Sequence, residues 1–333
     1  MVILPQPLRT PLLHTLGCEL PIMLAGMGGV SRHQLVAAVN RAGGFGVLGM
    51  VREPVARIRH EVEALRAIND GAFAVNLIPA ATERRLLMDQ IATCLALQVD
   101  AFVFFWDVDT GLVQYLKKEG KQVICQVGSQ RDADLAQSAG ADVLIVQGYE
   151  AGGHVRGTTA TLSLLPQVAA NSDVPVVASG GIASGEAILA AFSMGAQGVS
   201  LGSAFLATHE ANAHLHHKQR IADARADDTV HTTRFSRNWH EPAPVRVLNN
   251  AVTRGDYDQA DPDTCIGEQD GQPVYLFSTD SPLADASGKL DDMALFCGQS
   301  CSQIHAVTSV QQRIDTLLDQ IHSRIAKLRR APR

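Results

Sequence analysis

The stretch DVLIVQGYEAGGH, residues 142–154, begins with β-branched and apolar residues and ends with glycines and a single histidine. Its first half predicts a strand that is buried on both faces, because no polar residue alternates with the apolar ones. The runs PVVAS at 175–179 and GVSLG at 198–202 have the same character, and glycine-containing loops follow them as well. A repeated unit of buried strand, loop and helix is typical of parallel α/β folds.

This unit accounts for the first two thirds of the chain. The eight predicted strands are 21–25, 45–49, 72–76, 101–105, 122–127, 142–146, 175–179 and 198–202. Helical patterns lie between nearly all of them, including an apolar stripe over 55–65 that opens after Pro54, and Ser129 and Ser184 are predicted helix caps. Because the number of predicted strands is eight, as in a closed barrel, we predict a (β/α)8 TIM barrel over about residues 20–235, with a doubly wound open sheet as the alternative.

The strand–helix rhythm ends after Arg237. Residues 250–292 are rich in Asp, Gly and Pro and predict a long irregular excursion. Apolar residues at helical spacing from 310 to 328 predict a terminal helix. We therefore expect a barrel over residues 1–249, and an irregular excursion with a C-terminal helix packing on the barrel over 250–333.

Composition and charge exclude several classes of protein. Of the 333 residues, 46% are hydrophobic and 19% charged, and the net charge is -6, which indicates a globular protein with no nucleic-acid partner. The apolar runs are too short to span a bilayer, so no membrane partner is expected. The first 17 residues lack the pattern of a secretory signal, and we expect a cytoplasmic protein. The oligomeric state stays open, with a homo-oligomer as one alternative.

No group of residues predicts a metal site. The six cysteines are scattered and are expected to be reduced. Cys297 and Cys301 form a C-x3-C pair, but His305 is the only further candidate ligand near it in the sequence, so a zinc site is not predicted. Asp256 and Asp258 have the spacing of a calcium loop without its other ligands. A group of histidines after the eighth strand also lacks a completing carboxylate or thiol; its members are His209, His214, His216 and His217.

The glycines carry more information than the charges. A literal G-x-G-x-x-G occurs at Gly44, Gly46 and Gly49, but a helical pattern precedes it and the strand coincides with it, the reverse of a nucleotide fingerprint. We interpret these glycines as positions of close helix–strand packing. Glycine loops also follow the first, seventh and eighth strands, at 25–29, 179–182 and 201–205.

The loops after strands seven and eight form the usual phosphate site of a TIM barrel, because bare backbone N–H groups approach the anion closely. Ser179 and Ser203 add hydroxyl donors there. No nucleophile elbow, P-loop or paired carboxylates point to a hydrolase or a lyase. A phosphate-anchored organic cofactor therefore fits best, and flavin mononucleotide (FMN) is the common one for this fold.

Six stretches in this order resemble the nitronate monooxygenases, formerly called 2-nitropropane dioxygenases. They are PIMLAGMGG, AGGFGVLG, VNL at 75–77, QGYEAGGH, PVVASGGIASG and GAQGVSLGSAFLATHE, and the resemblance covers about residues 18–250. The same motifs occur in flavin-dependent enoyl-acyl-carrier-protein reductases and NADH:quinone reductases. The resemblance therefore indicates the flavin superfamily more firmly than it indicates the substrate.

The resemblance implies a set of FMN contacts and one catalytic residue, His154. The implied FMN contacts are Gly26, Met27, Gly28, Asn76, Gln126, Gly152, Ser179, Gly180, Gly181, Leu201, Gly202 and Ser203. Some relatives have lysine where this chain has Gln126, so the stabilisation that a cation gives to reduced flavin is missing at this position.

The implied reaction is oxidation of alkyl nitronates, or of nitroalkanes, by O2 to carbonyl compounds and nitrite. A neutral imidazole at His154 would take the α-proton of a nitroalkane, because histidine titrates near neutrality. With a ready-made nitronate the ring would orient the anion. Glu150 is expected to orient the loop or to pair with Arg156, and Trp239 and His240 are expected to line the substrate mouth.

Three alternatives remain at this stage. One is an FMN-dependent reductase that uses NAD(P)H on an enoyl thioester or quinone, with His154 as proton donor. Another is a phosphate-binding barrel without flavin, which would require a lysine or an acid at a strand end; none is found in strands five to eight. The third is a flavin-binding protein without turnover.

Overall fold

The computed structural model describes residues 8–239 and 243–330. Eight strands, β1 to β8, form one parallel sheet: Ile22–Leu24, Gly46–Gly49, Phe73–Leu77, Ala101–Phe104, Gln122–Val127, Val143–Gln147, Val176–Ser179 and Gly198–Leu201. β8 pairs with β1, and a bridge between Met23 and Phe45 joins β1 to the start of β2. The sheet thus closes, and the predicted (β/α)8 barrel is confirmed.

Helices connect the strands and follow the barrel. The helices of the described chain are Pro11–Leu16, His33–Arg41, Val55–Ile68, Arg84–Ala96, Thr110–Lys118, Gln130–Ala139, Thr161–Ala170, Gly185–Ser193, Ser203–Leu206, Leu215–Asp223, Ala251–Arg254 and Val310–Arg330. The Ser129 hydroxyl accepts from the backbone N–H of Asp132 at 3.1 Å, and the Ser184 hydroxyl accepts from that of Ala187 at 3.3 Å. Both predicted caps are confirmed.

The amino-terminal half of the barrel is filled with side chains. Met23, Phe45 and Ile124 belong to a buried apolar cluster inside the strands, and Leu12 and Leu16 from the helix Pro11–Leu16 join it from below. A packed interior is usual for this fold, and it confines ligand space to the carboxyl ends of the strands.

The glycines of the rejected nucleotide motif pack against the preceding helix. A Cβ on Gly46 would lie 2.5 Å from the Val36 side chain, and a Cβ on Gly44 would lie 2.8 Å from that of Val39. Both valines belong to the helix His33–Arg41. Close helix–strand packing therefore requires these two glycines, as predicted.

The segment 250–292 is more regular than the sequence analysis expected. Cys265–Gln269 pairs with Gln272–Tyr275 and with Ser287–Gly288 in a three-stranded antiparallel sheet. The turn between the first two strands is Asp270–Gly271, with φ of 49° and 69°. Asp-Gly with two positive φ angles is a favoured hairpin turn, and the flanking strands bury Ile266 and Val274 in a small apolar cluster with Phe235 and Val245. The predicted excursion therefore contains a short hairpin, because local turn chemistry orders a stretch that is rich in Asp, Gly and Pro.

Two further elements frame the carboxyl end of the barrel. Thr229–Thr232 pairs with Val245–Leu248, and the latter pairs with the two-residue strand Gly153–His154. The terminal helix Val310–Arg330 packs on Gly185–Ser193, where the Gly185 N–H donates to Gln320 Oε1 at 2.8 Å. Among the residues that the structure describes, no helix combines the length and the apolar character needed to cross a membrane.

Candidate active site

A cavity of about 530 Å³ opens at the carboxyl ends of the barrel strands. The hairpin residues 269–274 and the following residues 279–283 cover part of it, so the excursion forms a roof over the site. Of the residues implied by the resemblance, those lining the cavity are Gly26, Met27, Gly28, Asn76, Gln126, Gly152, His154, Ser179, Gly180, Gly181, Gly202 and Ser203. Leu201 lies outside the lining; it ends β8, and its side chain is buried in the main core.

The loops after β7 and β8 have the geometry of an anion cradle. Gly180 and Gly181 have φ of 96° and 75°, a left-handed conformation that suits glycine and turns successive N–H groups toward one side. A Cβ on Gly202 would meet only the Ala25 and Met27 side chains, at 3.7 and 3.9 Å. The cradle therefore leaves room for a phosphate group beside bare backbone.

Two of the implied contacts are held by close packing. A Cβ on Gly26 would lie 2.4 Å from that of Asn76, whose amide donates to the Val103 carbonyl at 3.1 Å. A Cβ on Gly152 would lie 2.4 Å from the backbone nitrogen of Gly298. Gly298 in turn donates its N–H to the Ser203 hydroxyl at 2.9 Å, which ties this segment to the cradle.

His154 lies in an aromatic environment on the cavity wall. Its ring centroid is 3.9 Å from that of Trp239 and 6.0 Å from those of Trp106 and Phe296. Its Nε2 is buried and has no hydrogen-bond partner among residues 8–239 and 243–330. Such a group is rare in folded proteins and is costly unless a ligand or a reaction uses it.

Burial lowers the pKa of His154 to about 3, and the nearby charge of Arg52 acts in the same direction. The expectation that this ring titrates near neutrality is therefore wrong for this structure. The reason is the apolar cover from Trp106, Trp239 and Phe296, because desolvation disfavours the imidazolium. The ring is neutral at every pH near 7, so it can accept a proton or take part in a hydrogen bond but carries no charge of its own.

Glu150 orients the loop that bears His154. Its carboxylate accepts from the backbone N–H of Thr161 at 2.9 Å and from the Thr161 hydroxyl at 3.0 Å. Arg156 instead lies 3.2 Å from Asp107 and donates to the Trp106 carbonyl. Of the two roles expected for Glu150, the structure shows the first.

Two positioning residues were missed in the sequence. The Gln147 amide donates to the His154 carbonyl at 2.8 Å and accepts from the Arg156 N–H at 3.1 Å. Arg246 is buried and donates to the Tyr149 carbonyl at 3.0 Å. Each is a polar residue inside an otherwise apolar strand, and that contrast was the available signal.

The remaining candidates of the sequence have other places in the structure. Trp239 lines the cavity as expected, whereas His240 lies outside the described residues. His217 is fully buried on the helix Leu215–Asp223, where Nε2 lies 3.0 Å from the Phe296 carbonyl and Nδ1 lies 3.1 Å from the Ser281 hydroxyl. It thus connects that helix to the segment behind His154.

We expect His217 to make stability depend on pH. Burial lowers the pKa of its ring to about 4, so the unfolded state binds more protons between pH 6.5 and 4. The free energy of unfolding should therefore fall as pH falls through this window, by about 2 kcal/mol between pH 6.5 and 5 from this residue. Urea unfolding of the wild type and of His217→Gln at pH 7.5, 6.5 and 5 measures this loss. Equal slopes in both proteins would contradict the assignment.

Known proteins resemble this chain over most of its length. A family model described as nitronate monooxygenase matches residues 9–320. A (3aS,4S,5R,7aS)-5-hydroxy-7a-methyl-1-oxo-octahydro-1H-indene-4-carboxyl-CoA dehydrogenase of Mycobacterium tuberculosis (strain ATCC 25618 / H37Rv) is 35% identical over 248 residues, 74% of this chain and 67% of that protein.

A probable nitronate monooxygenase of Staphylococcus saprophyticus is 30% identical over 308 residues, 79% of this chain and 85% of that protein. Among solved structures, nitroalkane oxidase from Streptomyces ansochromogenes superposes with a TM-score of 0.78 at 26% identity, covering 95% of this chain and 99% of that one. The barrel described above agrees with the match to the solved structure. The chain belongs to the nitronate monooxygenase family and is a flavin-dependent oxidoreductase.

Proposed function

We propose that the protein is an FMN-dependent nitronate monooxygenase that oxidises alkyl nitronates with O2 to carbonyl compounds and nitrite. The observation that carries the proposal is the buried His154 Nε2, which has no hydrogen-bond partner among the described residues, on the wall of a cavity that also contains the glycine loops of the cradle. The match to the family model and to a probable nitronate monooxygenase supports the same reaction.

The residues present fit FMN. Gly180, Gly181 and Gly202 offer bare backbone for its phosphate, and the buried Ser200 hydroxyl in the lining has no partner among the described residues. Gly26 and Asn76 would lie along the ring system, and Gln126 would offer it a neutral amide. When bound, the flavin supplies the electron acceptor for the substrate.

The chain's own residues place and deprotonate the substrate. With a neutral nitroalkane, the His154 ring is the proton acceptor, and Gln147 and Glu150 fix the backbone that carries it. With a nitronate no proton has to be removed, and the same neutral ring would donate one hydrogen bond to a nitronate oxygen. Because burial disfavours the imidazolium, nitronates are the better substrates. Trp106, Trp239 and Phe296 exclude water from this corner.

A second candidate is an NAD(P)H-dependent reductase of an enoyl thioester or quinone. The observation in its favour is the 35% identity to a dehydrogenase whose name specifies a carboxyl-CoA substrate. In that reaction His154 would be a proton donor, a role that its low pKa makes difficult.

The test is the reactivity of the bound flavin. We expect the purified protein to be yellow, and anaerobic propyl-2-nitronate to bleach it within seconds while NADH leaves the spectrum unchanged for minutes. Nitrite should appear when O2 is admitted. Bleaching by NADH or NADPH and not by the nitronate would reject the monooxygenase in favour of the reductase. Protein that binds no FMN on reconstitution would reject both.

A further inference from the structure

Charged side chains gather at the mouth of the cavity, on the side of the roof. Arg57 donates a hydrogen bond to Asp270 at 3.3 Å, so it is paired directly with a carboxylate. Arg52 differs, because its nearest carboxylate in the described chain is that of Asp280, at 4.0 Å. A separation at the limit of an ion pair leaves most of the guanidinium charge available.

The polar groups around Arg52 make most of their hydrogen bonds to other residues. Asp280 accepts hydrogen bonds from the Asn238 amide at 2.9 Å and from the Ser278 hydroxyl. Arg52 itself donates one N–H to the Asn238 carbonyl. A guanidinium has five N–H donors, and within residues 8–239 and 243–330 this one uses a single donor.

The backbone at Arg52 is held in an unusual conformation. Arg52 follows β2 with φ of 57°, a left-handed conformation that costs a non-glycine residue roughly 1 kcal/mol. Residues held in this way cluster at ligand-binding sites, where the surrounding structure fixes them. Arg52 also lines the cavity that His154 lines, on the side of Trp239.

We infer that Arg52 is the specificity-determining residue for the charge of the substrate, and that it binds the two oxygens of a planar oxyanion head group. This inference rests on the proposed function, in which the substrate is a nitronate. The planar fork of a guanidinium matches two coplanar oxygens, as it matches a carboxylate. His154 is neutral, so the positive charge facing such an anion comes from Arg52.

A carboxylate of the same shape should bind without reacting. Propyl-2-nitronate and 2-methylpropanoate both carry two oxygens on a branched three-carbon frame, and only the first can be oxidised by the proposed route. The chain has two tryptophans, Trp106 and Trp239, and both contact the His154 ring, so intrinsic fluorescence reports on this corner of the cavity.

The experiment is a fluorescence titration of the holoenzyme with 2-methylpropanoate. We expect saturable binding to the wild type, weakened about 10- to 100-fold by Arg52→Gln and less by Arg52→Lys, which keeps the charge and loses the fork. Arg59→Gln is the matched control, because Arg59 is exposed on the helix Val55–Ile68 and, among the described residues, pairs only with Glu63 of the same helix. Its affinity should equal that of the wild type.

Asp280→Asn separates anion binding from a purely structural role of Arg52. The substitution removes the negative charge next to Arg52, so 2-methylpropanoate should bind about threefold more tightly. If Arg52 served only to hold Asn238 and Trp239 in place, this variant would loosen the same contacts and weaken binding. Weaker binding, or equal affinities in the wild type and Arg52→Gln, would overturn the inference.

Steady-state kinetics distinguish failure of the inference from failure of the proposed function. For Arg52→Gln we expect KM for propyl-2-nitronate to rise about 10- to 100-fold with little change in kcat, and KM for neutral 2-nitropropane to stay the same. Nitronate oxidation that is indifferent to Arg52 would reject the inference alone. Arg52-dependent binding of 2-methylpropanoate without nitronate oxidation would reject the monooxygenase alone. Arg52-dependent binding of inorganic phosphate or coenzyme A, with none of 2-methylpropanoate, would overturn the oxyanion assignment.

Discussion

Replacing His154 with alanine is expected to lower kcat/KM for 2-nitropropane about 10²-fold, the low end for a general base because its pKa lies far below 7, and that for propyl-2-nitronate only about 10-fold. A positioned general base contributes roughly 10² to 10⁴ to a rate, and only the nitroalkane needs one. The nitronate loses a single hydrogen bond, worth about 1.5 kcal/mol. Initial rates of nitrite release with each substrate measure the two losses.

The exposed histidine His60, on the helix Val55–Ile68, supplies the control. His60→Ala should match the wild type with both substrates. Since burial lowers the pKa of His154 to about 3, the wild-type kcat/KM for the nitroalkane should be flat from pH 6 to 8 and fall only where the ring becomes protonated. Equal losses with both substrates, or a fall in rate that already sets in between pH 6.5 and 5, would contradict the role given to this ring.

Gly180→Ala is expected to weaken FMN binding about 100-fold. Its Cβ would require an alanine at φ of 96° and would lie 3.1 Å from the Ala151 nitrogen and the Gly148 carbonyl oxygen. Either the cradle moves or the backbone turns its N–H groups away from the phosphate, and both outcomes cost binding energy. Equilibrium dialysis or flavin fluorescence quenching gives the dissociation constant.

Gly120→Ala isolates the contribution of the cradle. Gly120 has φ of 71°, but a Cβ there would have nothing within 4 Å. This variant should therefore lose about 1 kcal/mol of unfolding free energy from the left-handed backbone while it binds FMN normally. Normal FMN affinity in Gly180→Ala would show that the phosphate lies elsewhere.

Local sequence patterns were sufficient to predict the barrel. A buried strand in a parallel sheet needs a short continuous apolar run, and each of the eight runs overlaps one observed strand with ends that differ by at most one residue. The hairpin of the roof could also have been predicted from Asp270–Gly271, because the turn chemistry is local. Its position over the barrel mouth could not, since the contacts that place it join distant parts of the chain.

The sequence was sufficient to predict which residues form the candidate site, but not the pKa of His154 or the charges around Arg52. Glycine loops at strand ends and the EAGGH run locate the cradle and His154. The low pKa of that ring depends on Trp106, Trp239 and Phe296, which are far apart in sequence and meet only after folding. The ionic surroundings of Arg52 are equally nonlocal, because Asn238 and Asp280 come from the end of the barrel and from the roof.

The roof has a consequence for how selectivity can be altered. The cradle belongs to the barrel loops, whereas part of the outer cavity wall comes from one hairpin, Cys265–Gln269 with Gln272–Tyr275. The hairpin packs its Ile266 and Val274 on Phe235, Val245 and Val252, away from the cradle. Exchanging the hairpin, together with the residues on which it packs, for those of a relative would change which substrates enter while the cofactor site keeps its construction.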